Sequence, residues 1–151
     1  MNSTTSLMIV EDSQEDCYTI KRILEKHNFR YPVAFIENGD DAIDYFEDVK
    51  EGGEKGLPTL ILLDLNLPGT DGREILQALK ADPVMRAIPI VVTTTSSSPR
   101  DIAFCYEQSV QGYFVKPVDY DRLEYSLTNI LNYWFNLMVP PYYHTSYSNA
   151  S

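Results

Sequence analysis

Cysteine is scarce in this chain. Cys17 and Cys105 are the only two, and they have no CxxC spacing. That excludes a thiolate metal knuckle or a disulfide scaffold, and both thiols are expected to stay reduced. No apolar run approaches the roughly 18–20 residues of a membrane span. The start, Met1 to Ser6, lacks the basic-then-apolar pattern of a secretory leader, so a cytoplasmic location is expected. Basic residues are also few: 12 against 22 acidic ones, for a formal net charge of −10. Such a balance, with no basic stripe, argues against nucleic acid and against anionic lipid. A protein partner or a small cation suits it better. No internal repeat is evident.

What is present is a regular alternation. Short runs rich in Val, Ile and Leu occur near 6–10, 33–36, 59–63, 89–93 and 112–115. They lack a polar/apolar alternation, which suits strands covered on both faces. Helical patterns fill the gaps near 13–27, 39–50, 71–80 and 99–109, with a last one from about 119. Cys17, Ile20 and Leu24 form one helical stripe, with Ser13 as the expected N-cap and Asp16 in the first turn. Five βα units indicate an α/β domain with a doubly wound, five-stranded parallel sheet. The connection from Asp48 to Pro58, with three glycines, reads as a surface loop.

The ends of the strand runs carry the chemistry. Glu11 and Asp12 follow the first, Asp64 the third, a hydroxyl run from Thr93 to Ser98 the fourth, and Lys116 the fifth. Taken singly, each is ordinary: Asp64 a turn or cap residue, Glu11-Asp12 a helix start, Lys116 a surface lysine, the hydroxyls a polar loop. In a parallel sheet all of them reach one edge, where ligands bind in open α/β folds. Clustered carboxylates raise one another's pKa, and a cation relieves that. Oxygen donors suit Mg²⁺. An aspartate can accept a phosphoryl group, whose charge a lysine and a metal would offset.

The constellation resembles the receiver domain of two-component response regulators, over about residues 6–134. The resemblance implies a flavodoxin-like fold and a phosphorylation-dependent switch rather than a turnover enzyme. It implies that Asp64 accepts a phosphoryl group from a histidine kinase. It further implies that Mg²⁺ is held by Asp12, Asp64 and the Asn66 backbone carbonyl, with Glu11 acting through water. Lys116 would pair with the phosphoryl group, and Pro117 after it would be cis. Counting from Pro89 and back from Lys116 makes Thr94 the switch hydroxyl, with Thr93 or Thr95 requiring a one-residue shift. Tyr113 matches the aromatic switch position, and also reads as a plain strand tyrosine packing on the fourth helix. The resemblance also implies that Pro68 and Gly72 shape the loop after Asp64 and that Asp71 starts the third helix. Ser109-Val110-Gln111-Gly112 departs from the Gly-Ala pair often found before the fifth strand.

The phrase from Leu63 to Glu74, the long loop before it and the end Tyr133-Trp134-Phe135 followed by Pro140-Pro141 resemble single-domain regulators partnering cyanobacterial phytochrome-type kinases. That implies a light-sensing kinase upstream and a homodimer. Leu123, Leu127 and Ile130 suffice to cover the sheet. Leu131, Trp134, Phe135, Leu137 and Met138 exceed that need and are expected to join two copies. Residues 135–151 are thus expected to form a C-terminal interaction extension, too short for an output domain. Two other functions fit less well. A haloacid dehalogenase-type phosphatase would carry its nucleophile in the first motif, with a second Asp where Asn66 stands. A phosphorylation-independent binding module would not need the complete set of acids, hydroxyl and lysine.

Overall fold

The computed structural model describes residues 5–52 and 56–141. The order is β1 (Leu7–Val10), α1 (Gln14–Lys26), β2 (Val33–Ile36), α2 (Gly39–Glu51), β3 (Leu60–Leu63), α3 (Gly72–Ala81), a 3-10 turn (Met85–Ala87), β4 (Ile90–Thr94), α4 (Pro99–Glu107), β5 (Gly112–Val115) and α5 (Tyr120–Asn132). A π-helical turn, Tyr133–Leu137, continues α5. The strands form one parallel sheet in the order β2-β1-β3-β4-β5. The expected elements are all found, their ends displaced by a residue or two.

Both faces of the sheet are covered, as the unbroken apolar runs require. Leu7, Ile9, Leu60 and Leu62 pack with Ile20, Ile23 and Leu24 of α1 and Leu127 of α5. Met8, Val10, Ile61 and Leu63 turn the other way, onto Ala42, Phe46, Ile75, Leu76 and Leu79 of α2 and α3. Cys105 of α4 lies in this second layer, whereas Cys17 is on α1. The sheet separates the two thiols, and both are free and buried. Burial pushes the Cys105 thiol up to about 11, so it is inert.

Helix starts are set by capping side chains. Ser13 accepts from the Asp16 N–H as expected, and Asn38, Asp71 and Ser98 do the same for α2, α3 and α4. The departure before β5 has a backbone consequence. Ser109 takes φ +64, the left-handed conformation that glycine adopts at least cost. Two residues on, Gln111 Oε1 accepts from the Ile90 N–H at 2.7 Å at the start of β4.

The C-terminal end corrects one expectation. Leu131 and Phe135 are 7% and 5% exposed and belong to this chain's own core. Phe135 meets Phe29 edge-on, ring centroids 5.0 Å apart, and Tyr31 at 5.1 Å. The α1–β2 connection supplies a second wall that sheet coverage alone does not suggest, so these two residues are unavailable to a second copy. A cleft of about 470 Å³ lies beside them, between the last turns of α1 and α5. Trp134 is half-buried, and Leu137 and Met138 remain exposed. The rest of the expected extension, 142–151, lies outside the described residues, as do residues 53–55 of the long loop.

Candidate functional site

The strand order reverses between β1 and β3, which sit side by side at the middle of the sheet. A crevice at such a switch point is the usual ligand site of an open α/β sheet. Register places Val10 opposite Leu63, so Glu11 and Asp64 leave neighbouring strands at the same level. The Asp64 N–H donates to the Val10 carbonyl at 3.0 Å, and the Glu11 N–H to Ile36 at 2.9 Å. On the far side, Thr94 pairs with Val115, and the Lys116 N–H donates to the Thr94 carbonyl at 2.7 Å. The fifth strand thereby delivers its lysine to the acids of the first and third.

Glu11, Asp12 and Asp64 each offer a carboxylate oxygen, all within 4.8 Å of one another. Glu11 is 2% exposed and Asp64 6%, whereas Asp12 is open to solvent. Lys116 Nζ donates to Glu11 Oε1 and, at 2.9 Å, to Asp16 Oδ2, and stands 3.8 Å from Asp64 Oδ2. The other Glu11 oxygen accepts from the Ser13 N–H at 3.2 Å. Burial, with the Asp64 charge adding to it, pushes the Glu11 carboxyl up to about 7 against the pull of Lys116. For Lys116, burial favours loss of the proton, but the bonds to Glu11 and Asp16 outweigh it and hold the ammonium above its ordinary value. The donor set fits a hard divalent cation: oxygen only, converging, negatively charged and short of positive charge.

Thr94 is fully buried, and its Oγ1 accepts from the Ser96 N–H at 3.2 Å. Thr93 is partly exposed and Thr95 exposed, so Thr94 is the hydroxyl at the end of β4 that the fold encloses. The Tyr113 hydroxyl donates to the Ser96 carbonyl at 2.9 Å, while its ring packs against the layer that holds Cys105. This packing is the one expected of a strand tyrosine beside the fourth helix. The loop after Asp64 is pressed close to its neighbours. A Cβ on Gly72 would lie 2.2 Å from the Asp64 carbonyl oxygen, and one on Gly39 would lie 1.7 Å from that of Thr70. Gly69, at φ +75, turns beside Asp40, whose Oδ1 accepts from the Thr70 N–H at 3.0 Å and its hydroxyl at 2.7 Å.

The sequence model of the response regulator receiver domain matches residues 7–128. The chain belongs to this family. Receivers are phospho-acceptor signalling modules served by histidine kinases, not turnover enzymes. Among relatives, the chain is 37% identical over 128 residues to the "Probable methanogenesis regulatory protein FilR2" of Methanothrix harundinacea, covering 85% of this chain and 82% of that one. It is 31% identical over 140 residues to response regulator Rcp1 of Synechocystis, covering 93% and 95%. The Mn²⁺-bound crystal structure of Rcp1 superposes with a TM-score of 0.82 at 31% identity, covering 91% of this chain and 99% of that one. The phosphorylated cyanobacterial phytochrome response regulator RcpA gives 0.82 at 32% identity, covering 92% and 99%.

This receiver corrects one site expectation: the Lys116–Pro117 bond is trans. Trans is intrinsically favoured before proline by about 0.5–1 kcal/mol, and residues 117–119 complete the turn into α5 without the cis form. Asn66 stands exposed two residues past Asp64. Two features had not been expected. Asp16, read as a helix-start acid, is also a partner of Lys116. Arg73 bridges α3 to Asp101 of α4, with Nε at 3.1 Å and Nη2 at 2.9 Å from Oδ1. The first had a signal, since Asp16 lies on the turn of α1 that opens beside Glu11. The second had none in spacing.

Proposed function

We propose that this receiver is a phosphorylation-controlled switch of the cytoplasm, with Asp64 as the acceptor. The observation that carries the reading is Lys116 Nζ at 3.8 Å from an Asp64 carboxylate oxygen within the three-acid cluster. An Asp64 oxygen attacks the phosphorus of a phosphohistidine. The O–P bond forms, the P–N bond breaks, and its electron pair returns to the imidazole, which takes up a proton. Asp12, Asp64 and the Asn66 carbonyl would hold Mg²⁺, with Glu11 through a water; the ion supplies positive charge for the phosphoryl oxygens. Lys116 supplies the remaining cation, and burial of Asp64 keeps bulk water from the acyl phosphate.

The modified aspartate carries roughly 1.5 to 2 negative charges. Thr94 is the hydroxyl that turns to a phosphoryl oxygen, and Tyr113 follows it, which alters the face formed by β4, β5, α4 and α5. Labelling with acetyl phosphate and Mg²⁺ tests the assignment: Asp64→Asn should take up no phosphoryl group. Full labelling of that variant would refute it, and a wild-type chain that takes no label and binds no Mg²⁺ would favour a phosphorylation-independent binding module.

The kinase upstream is of phytochrome type in this reading, supported by the likeness to Rcp1 and RcpA over more than nine-tenths of the chain. The protein acts as a homodimer through the exposed Tyr133, Leu137, Met138 and Val139 with the half-buried Trp134, an apolar group that water leaves uncompensated. Nucleic acid and membrane are not its partners, in keeping with the charge of −10.

A further inference from the structure

Among the described residues, Ser96 is the one bonded to both switch side chains through its backbone. Its N–H donates to Thr94 Oγ1 at 3.2 Å and its carbonyl accepts from the Tyr113 hydroxyl at 2.9 Å. Its own hydroxyl donates to Asp101 Oδ2 at 2.7 Å and accepts from the Ser98 N–H at 3.3 Å. The other Asp101 oxygen is forked by Arg73. Arg73 also reaches the Asp71 carboxylate at 3.2 Å, at the cap of the helix that follows the Asp64 loop. One continuous path of side chains therefore links the loop after the acceptor to the loop that carries the switch.

We propose that Asp101, held by Arg73, is a positioning residue that fixes Ser96 and through it keeps Thr94 and Tyr113 in the unphosphorylated arrangement. This rests on the acceptor reading given above. In the structure Thr94 Oγ1 is engaged by Ser96, and no hydrogen bond joins it to Asp64 or Lys116 among the described residues. A Thr94 hydroxyl that moves to a phosphoryl oxygen leaves the Ser96 N–H behind, or drags the loop with it. A loop tied to a charged carboxylate resists both. A bond to an ionised acceptor is stronger than one between neutral groups. The Ser96 hydroxyl foremost, and Arg73 beside it, hold the Asp101 carboxyl below its usual range, so the tether persists across neutral pH.

Beryllofluoride with Mg²⁺, which imitates the phosphoryl group, reads the equilibrium directly. A tether that favours the free state must weaken beryllofluoride binding by the same factor. Asp101→Ala should bind beryllofluoride about fivefold more tightly by titration calorimetry. Ser96→Ala, which cuts the same tether without disturbing the ion pair, should gain similarly. The double variant should gain no more than either single one, and Asp101→Asn, which keeps an acceptor for Ser96, should fall back toward wild type. Unchanged or weaker binding by the folded single variants, or additive gains, would overturn the inference. Amide exchange of Ser96, measured without beryllofluoride, should accelerate in both single variants. Unchanged protection there overturns the tether whether or not Asp64 is the acceptor, whereas failure of the wild-type chain to bind beryllofluoride would count against the acceptor reading alone.

Discussion

Glu11→Gln isolates the electrostatic strain at the strand ends. Glu11 is buried between Asp64 and Lys116 and titrates at about 7 rather than 4.5. The unfolded chain loses this proton first, so between those values the native state binds more protons than the unfolded one. Stability therefore falls as pH rises through this window, the reverse of the usual carboxylate. The shift is worth about 3 kcal/mol once both states are ionised, at about 1.4 kcal/mol per pH unit. At pH 5 only about 1 kcal/mol of this has developed, and at pH 8 nearly all of it. Glutamine has the shape of the protonated acid and no charge to bury. In urea titrations of the chelator-treated protein, Glu11→Gln should gain on wild type by roughly 2 kcal/mol between pH 5 and pH 8. A divalent cation should narrow or reverse that gap, since it stabilises the ionised cluster of the wild type. A difference between the two proteins that stays constant from pH 5 to 8 without metal would refute the reasoning.

Two further perturbations test the packing. Ser109→Gly relieves a left-handed residue and should raise stability by about 0.5–1 kcal/mol, read as a higher urea midpoint at constant slope; a loss of stability would show that Ser109 makes up for its φ elsewhere. Phe135→Ala should cost about 3–5 kcal/mol in the monomer, because the ring fills a core site against Phe29 and Tyr31. Leu137→Ser should leave that stability within about 0.5 kcal/mol and weaken the proposed self-association in sedimentation experiments. A wild-type chain that stays monomeric at micromolar concentration, phosphorylated or not, would remove the dimer reading.

Glu11, Asp12, Asp64 and Lys116 were legible in the sequence because their placement depends only on strand direction and on which residues follow each apolar run, whereas Thr94 needed the family resemblance to be picked from its hydroxyl run. A parallel sheet carries those ends to one edge whatever the helices between them do. Where a second surface decides, periodicity falls short. It placed Leu131 and Phe135 beside the Leu127 stripe, but could not reveal Phe29 and Tyr31 arriving from the α1–β2 connection to cover them. Side-chain bridges between elements are harder still. Arg73 and Asp101 are 28 residues apart, a distance with no periodic meaning, and each alone is an ordinary charge on a helical first turn. Ser109 hid for a different reason: a left-handed residue announces itself in sequence when it is glycine, and here it is not.

The charges at the strand ends explain why Lys116 is more than a counter-ion for Asp64. It touches Glu11 and Asp16, and Asp64 is the most distant of its three carboxylates. With Asp12 beside them, one ammonium faces four acids. Burial first, and the Asp64 charge after it, drive Glu11 toward its protonated form against the pull of Lys116. A phosphoryl group on Asp64 would deepen the deficit, replacing one negative charge by about two. In the proposed function Lys116 turns its third N–H to that group while bonded to Glu11 and to Asp16, which sits in the first turn of α1. A shift of Lys116 toward a modified Asp64 would therefore reach α1 through Asp16, beside the proposed route through Thr94 and Ser96.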